Sequence, residues 1–154
     1  MGRSDLLDLD DAFEKFRAQN VSIHPNYDGD STVSNLMLVK LDGMASYSPA
    51  ELNGNSTVPS AEGEELTAIG FGGSGPMGDQ NILEEVAVNY IPNADCEELM
   101  DPSLDISLEG ETGEDNICAD APGTAGICTG DFGGPLIKLG GTADEDLVVG
   151  VVAA

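Results

Sequence analysis

The residues whose types could do chemistry concentrate in one run, Gly126-Ile127-Cys128-Thr129-Gly130-Asp131-Phe132-Gly133-Gly134-Pro135-Leu136-Ile137. Glycine reaches backbone conformations closed to other residues and proline fixes φ, so Gly-Asp-x-Gly-Gly-Pro makes a tight turn into the apolar strand that follows. The side chain at its centre is Phe132. A benzyl group has no lone pair to attack a carbonyl, which rules out nucleophilic catalysis through that position. A second pattern, Gly70 to Gly75, spells the dinucleotide fingerprint G-x-G-x-x-G. That chemistry needs a helix directly after the glycines, and here no helical pattern follows and Pro76 interrupts, so the reading fails. Cys96 and Cys118 have no second Cys or His close to either, which argues against a zinc site. No metal or cofactor is expected.

The elements that must position this run are short strands. Residues 21–23 and 34–41 read as strands on either side of a turn-rich loop through Asp28-Gly29-Asp30. Residues 67–72 form another, and 83–92 alternate apolar and polar side chains as a half-buried strand does. A short helix is expected over 93–100, with Asn93 as its N-cap. Residues 116–119 and 147–154 read as further strands, and 101–115 as an acidic surface loop. Residues 4–19 are ambiguous: Leu6, Leu7, Leu9, Phe13 and Phe16 among acids fit a helix or the approach to a strand.

Length and composition bound the rest. A chain of 154 residues suits a single domain, and 40% hydrophobic content supplies a core. Twenty Gly and eight Pro with few helical patterns point to an all-β fold of short strands and turns. The net charge is −24, from 29 acidic and 5 basic residues. Such a surface cannot neutralise phosphates and is repelled by anionic membranes, so neither nucleic acid nor membrane is an expected partner. No apolar run reaches the length of a membrane span. The first twenty residues hold Asp5, Asp8, Asp10 and Asp11 and do not read as a secretory signal. Two glycosylation sequons, Asn20-Val21-Ser22 and Asn55-Ser56-Thr57, give weak support to secretion.

The run from Cys128 to Pro135 resembles the signature around the catalytic serine of chymotrypsin/trypsin-type serine proteases, Cys-x-Gly-Asp-Ser-Gly-Gly-Pro, and meets seven of its eight positions. Residues 21–41 are similar to the family's segment ending in Asn-Asp-Ile-x-Leu-x-Lys-Leu, residues 83–96 to its Leu-x-x-Val-x-Val-x-x-Ile strand before a cysteine, and 116–119 to its Met-Ile-Cys-Ala strand. The resemblance implies a trypsin-like double β-barrel. Its N-terminal barrel would be incomplete (about 1–50), followed by a connector (about 51–65) and a second barrel (about 66–154) lacking its last strand and helix. It places Phe132 at the nucleophile position and Asn35 at the triad acid. His24, the only histidine, falls in the structural His-Pro-x-Tyr loop, where it is expected to be exposed, so the triad base is absent. Backbone N–H groups of Gly130 and Phe132 would form the oxyanion hole. Gly126 would sit at the base of the specificity pocket, with Ala153 and Ala154 on its wall.

By the same resemblance, Asp131 is the aspartate that pairs with a new N-terminus in activated relatives, Cys96 pairs with Cys118, and the partner of Cys128 lies beyond Ala154. Asp11 and Glu14 fall near a calcium loop of some relatives, but a solvated acidic face is expected there instead. The implied function is that of a protease homologue without catalysis, binding a polypeptide outside the cell. Alternatives are a fragment of an active secreted endopeptidase and a protease-derived binding module. An acidic all-β module unrelated to proteases is the competing class, and a Cys96–Cys118 disulfide would count against it.

Overall fold

The computed structural model describes all residues except 9, 11, 12, 30–33, 56, 74–80, 100–115, 124, 125, 129 and 154, and the backbone alone at 97–99. Among the described residues, eight strands form two sheets. β1 (Ala18–Ile23) and β2 (Met37–Leu41) make an antiparallel ribbon. The second sheet contains β3 (Glu51–Leu52), β4 (Glu65–Gly70), β5 (Glu84–Ile91), β6 (Cys118–Asp120), β7 (Pro135–Lys138) and β8 (Leu147–Val151). Its spatial order is β3-β8-β7-β4-β5-β6. Neighbours are antiparallel except β3, which pairs parallel to β8 through Glu51–Leu147 and Leu52–Val148. The stretch read as a connector therefore contributes an edge strand. Neither sheet closes on itself, as an incomplete trypsin-like barrel requires.

Period-two side-chain alternation builds the core. Leu66 and Ala68 on β4 face the same side, opposite Val88 and Val86 of β5, and Ala68 also lies across from Leu136 of β7. Leu66, Ala68, Val88, Leu136 and Val152 are buried together, with Tyr90, Ile117, Ala119 and Val149 packed against them. Burying each of the larger aliphatic side chains contributes about 1.5–3 kcal/mol. β4 is central, so its other face is covered as well: Thr67 is buried beside Ile137. At the lower end of β4, Glu64 forms an ion pair with Lys138 at the end of β7 (2.5 Å), and Glu64 also accepts from Ser60 N–H (2.8 Å). That arrangement holds the Glu64 carboxyl at about 2, first through the Lys138 bond and then through the backbone donors.

α1 (Asn93–Leu99) follows β5, and the expected disulfide Cys96–Cys118 ties it to β6. The bond counts against a chance likeness of cysteine pattern. Asn93 opens the helix itself rather than preceding it, and its Nδ2 donates to Asn116 O (3.1 Å), a second tie between helix and β6. Residues 13–17 are neither helix nor strand: the Glu14 carboxylate accepts from Ser46 N–H (3.0 Å), and Arg17 and Asp42 exchange bonds at the base of the ribbon. β2 is shorter than the apolar run 34–41 because Ser34 has φ 57, and Leu36 N–H turns back to Ser34 O (2.8 Å). The ribbon's apolar side chains stay in solvent. Val21 and Val39 face each other, as do Ile23 and Met37, and all four are exposed.

Candidate functional site

The Gly-rich turn is held on three sides. Asp131 is its anchor. One carboxylate oxygen accepts from Gly72 N–H at the end of β4 (2.7 Å), and the other from Cys128 N–H (2.9 Å). The backbone bonds Asp131 N–H to Cys128 O (3.0 Å) and Gly134 N–H to Asp131 O (2.9 Å) close the turn. Gly133 N–H and Val152 N–H exchange bonds with Val152 O and Gly134 O, which stitches the turn to the end of β8. Gly130 (φ 108) and Gly133 (φ 84) take left-handed backbone on either side of Asp131-Phe132. A side chain at either position would be strained, which explains why glycine flanks the pair.

The same packing accounts for the glycines of the failed dinucleotide fingerprint. A Cβ on Gly70 or Gly72 would overlap the Asp131 carboxylate. They are glycine so that a carboxylate can reach the backbone, not a phosphate. Gly75 and Pro76 lie outside the described residues.

With Asp131 turned inward, the next side chain turns outward. Phe132 is 53% exposed at the tip of the turn. Among the described residues, no acceptor takes the N–H of Gly130 or of Phe132, and Gly130 is exposed. Among the described residues, the turn thus presents two amide donors without an acceptor beside an aromatic ring. Such donors stabilise a developing oxyanion when a nucleophile is present and bind a neutral carbonyl oxygen when it is not.

Gly126, Cys128 and Asp131 line a hollow of about 140 Å³ together with Gly70, Glu84 and Val86. Glu84 and its neighbour Glu85 at this hollow escaped sequence reasoning, because only the register of β5 on β4 brings them there. Cys128 is a free, half-buried thiol whose nearest bond is to Gly126 O (3.6 Å). Ala153 is exposed and directly follows Val152, at the edge of the turn rather than around this hollow, and Ala154 lies outside the described residues. Asp131, which the resemblance pairs with a new N-terminus in activated relatives, takes two backbone N–H donors here.

Asn35 and His24 lie at the end of the ribbon. Asn35 is exposed just before β2. His24 is half-buried rather than exposed, since the ribbon's end closes over it: its N–H donates to Leu36 O (2.9 Å) and its Nδ1 accepts from Asn26 N–H (3.3 Å). Among the described residues, no hydrogen bond joins His24 or Asn35 to the turn at 128–134. No group of three or more potential metal ligands occurs among the described residues, and Asp11 lies outside them.

The sheet, antiparallel except at β3, thus carries an aspartate-anchored, glycine-flanked turn at a strand end. The trypsin family model matches residues 2–154, and the chain belongs to that family. It is similar to brachyurin of Leptuca pugilator, 26% identical over 123 residues, covering 78% of this chain and 50% of that protein. Glucanase inhibitor protein 4 of Phytophthora infestans is 28% identical over 143 residues, covering 91% of this chain and 52% of the relative. Glucanase inhibitor protein 1 of Phytophthora sojae is 26% identical over 149 residues, with 91% and 51% covered. The chain spans about half the length of these relatives.

Proposed function

We propose that this chain is a non-catalytic member of the trypsin family that acts outside the cell by binding a polypeptide at the exposed turn. The observation that carries this reading is Phe132, an exposed aromatic ring where the family's chemistry needs a hydroxyl. Two observations around it support the reading: Asp131 is anchored, and among the described residues no acceptor takes the Gly130 and Phe132 amides, which leaves them to donate to a carbonyl of the partner. Aromatic side chains, Phe among them, are enriched at protein interfaces, and a solvent-facing ring suits that use. Two of the relatives are named as inhibitors of a glucanase, and inhibition of a protein is a binding function. A disulfide between α1 and β6 fits an oxidising compartment, in line with an extracellular location.

A serine-directed fluorophosphonate and a mixed peptide library test the catalytic half of the reading. The chain should take no label and cleave nothing above buffer. Labelling or turnover by the unaltered chain would end the proposal. Calorimetry against a secreted glucanase, the first partner to try, tests the binding half. Phe132→Ala should weaken a measured complex at least about tenfold, as loss of a hot-spot aromatic does, and an unchanged affinity would move the binding surface away from the turn.

A further inference from the structure

The loop between β3 and β4 carries the sequon Asn55-Ser56-Thr57, and β1 carries the other, Asn20-Val21-Ser22. The fold holds them in opposite ways. Asn55 sits in a turn whose backbone carbonyl accepts from Val58 N–H (3.1 Å). Its side-chain oxygen accepts both from Thr57 N–H (3.0 Å) and from the Thr57 hydroxyl (2.9 Å). A backbone N–H donates only to the oxygen of a carboxamide, so this pair of bonds fixes the amide with Oδ1 toward Thr57 and Nδ2 away from it. Among the described residues, Asn55 Nδ2 donates to no acceptor, and Asn55 and Thr57 are both exposed. Asn53 braces the loop from beneath: its Oδ1 accepts from Asn55 N–H (2.9 Å) and its Nδ2 donates to Val58 O (2.7 Å).

Glycan transfer asks a carboxamide nitrogen to attack a sugar carbon, although its lone pair is delocalised into the carbonyl. A hydroxyl that donates to Oδ1 makes the Nδ2 protons more acidic and easier to remove as the new bond forms. The Asn55–Thr57 geometry supplies that contact in the folded chain. Asn20 does not have it. It lies opposite Lys40 within the β1–β2 ladder, where side chains two residues apart stand about 6.6 Å from each other. Among the described residues no hydrogen bond joins the Ser22 hydroxyl to the Asn20 amide, and both side chains are exposed on the ribbon.

We propose that Asn55 is an N-glycan acceptor and that Asn20 is not. The co-substrate is an oligosaccharide on a lipid diphosphate. A bond forms from Asn55 Nδ2 to the anomeric carbon as the anomeric C–O bond to the diphosphate breaks. The lipid diphosphate leaves with that electron pair, and one Nδ2 proton passes to a base of the transferase. The inference rests on the extracellular reading, because the modification needs passage through the secretory pathway.

The test expresses the full chain behind a heterologous secretion leader in a eukaryotic host. The protein should carry one oligosaccharide that a peptide N-glycosidase removes, with residue 55 recovered as aspartate in the peptide map. Asn55→Gln and Thr57→Ala should abolish the mass shift, whereas Asn20→Gln and Thr57→Ser should keep it. Thr57→Ser retains the hydroxyl and separates loss of the contact from loss of the fold. Absence of glycan on the leader-driven chain, or a glycan mapped to Asn20, overturns the assignment. A glycan at Asn55 in that chain supports it even where protein from the native source carries none, a result that would instead refute the extracellular reading.

Discussion

Glu64→Gln isolates one charge at the seam between β4 and β7. The carboxylate pairs with Lys138 and accepts from Ser60 N–H, and these bonds lower its pKa from 4.5 to about 2. A carboxyl held at that value is favoured in its charged form by about 3 kcal/mol if nothing screens it. The Lys138 side chain is 41% exposed, so salt and water reduce the contribution to about 1–2 kcal/mol. The sign follows from the depressed pKa. The stabilisation is fully present above the unfolded value of 4.5 and fades as pH falls toward 2.

Urea denaturation of the native chain and of Glu64→Gln, at pH 7 and again at pH 3, reads both magnitude and sign. At pH 7 the variant should be less stable by about 1–2 kcal/mol, and at pH 3 the gap should shrink to less than half. Taking the difference between the two proteins cancels the titration of the other acids. Lys138→Met and the double variant close a cycle whose coupling energy should exceed about 0.5 kcal/mol. Equal midpoints at pH 7, or a gap that does not change with pH, would refute the assignment of the seam to this pair.

Three further outcomes are expected. Replacing Cys96 and Cys118 together with Ala opens a loop with a sequence separation of 22, and by loop entropy should cost about 3 kcal/mol in denaturant-derived stability. A loss under about 1 kcal/mol would mean that the reduced chain keeps the helix on β6. Asp131→Ala leaves the N–H groups of Gly72 and Cys128 without their acceptor. The cost should be about 2–4 kcal/mol, and amide exchange at those two positions should accelerate by at least tenfold, whereas protection equal to that of the native chain would deny Asp131 its anchoring role. Phe132→Ser changes an exposed side chain and should move stability by under about 0.5 kcal/mol. It should also restore no peptidase turnover, because among the described residues no hydrogen bond joins His24 to the turn, and turnover in a chromogenic peptide assay would contradict that.

Much of the fold was legible because its signals are local. Alternation over 83–92 gave β5, the glycines and Pro135 marked the turn before β7, and Asn93 marked the start of α1 to within a residue. The cysteine pairing was legible only through family resemblance, since spacing alone does not choose partners. What depended on register was hidden. Nothing along the chain brings Glu84 and Asp131 to one hollow, or Glu64 beside Lys138, until β4 takes its neighbours. The run 34–41 forms a strand only from Met37 for a backbone reason: Ser34 takes a left-handed φ, and Leu36 N–H turns back to Ser34 O. The anchoring of Asp131 was hidden for a related reason, because backbone donors satisfy a carboxylate and leave no trace in sequence.

The ribbon gives the acidity of this chain a physical consequence. Among the described residues, β1 and β2 form a two-stranded sheet with exposed Val21, Ile23, Met37, Leu38 and Val39 and no further strand paired to either edge. An edge of that kind templates the addition of further strands from other molecules. At neutral pH a net charge of −24 sets every copy against every other. Near the sequence pI of about 4.1 the repulsion vanishes while the ribbon stays apolar. Colloidal stability is therefore a property of pH in this molecule, and mild acid is the condition under which its least covered strands can nucleate assembly.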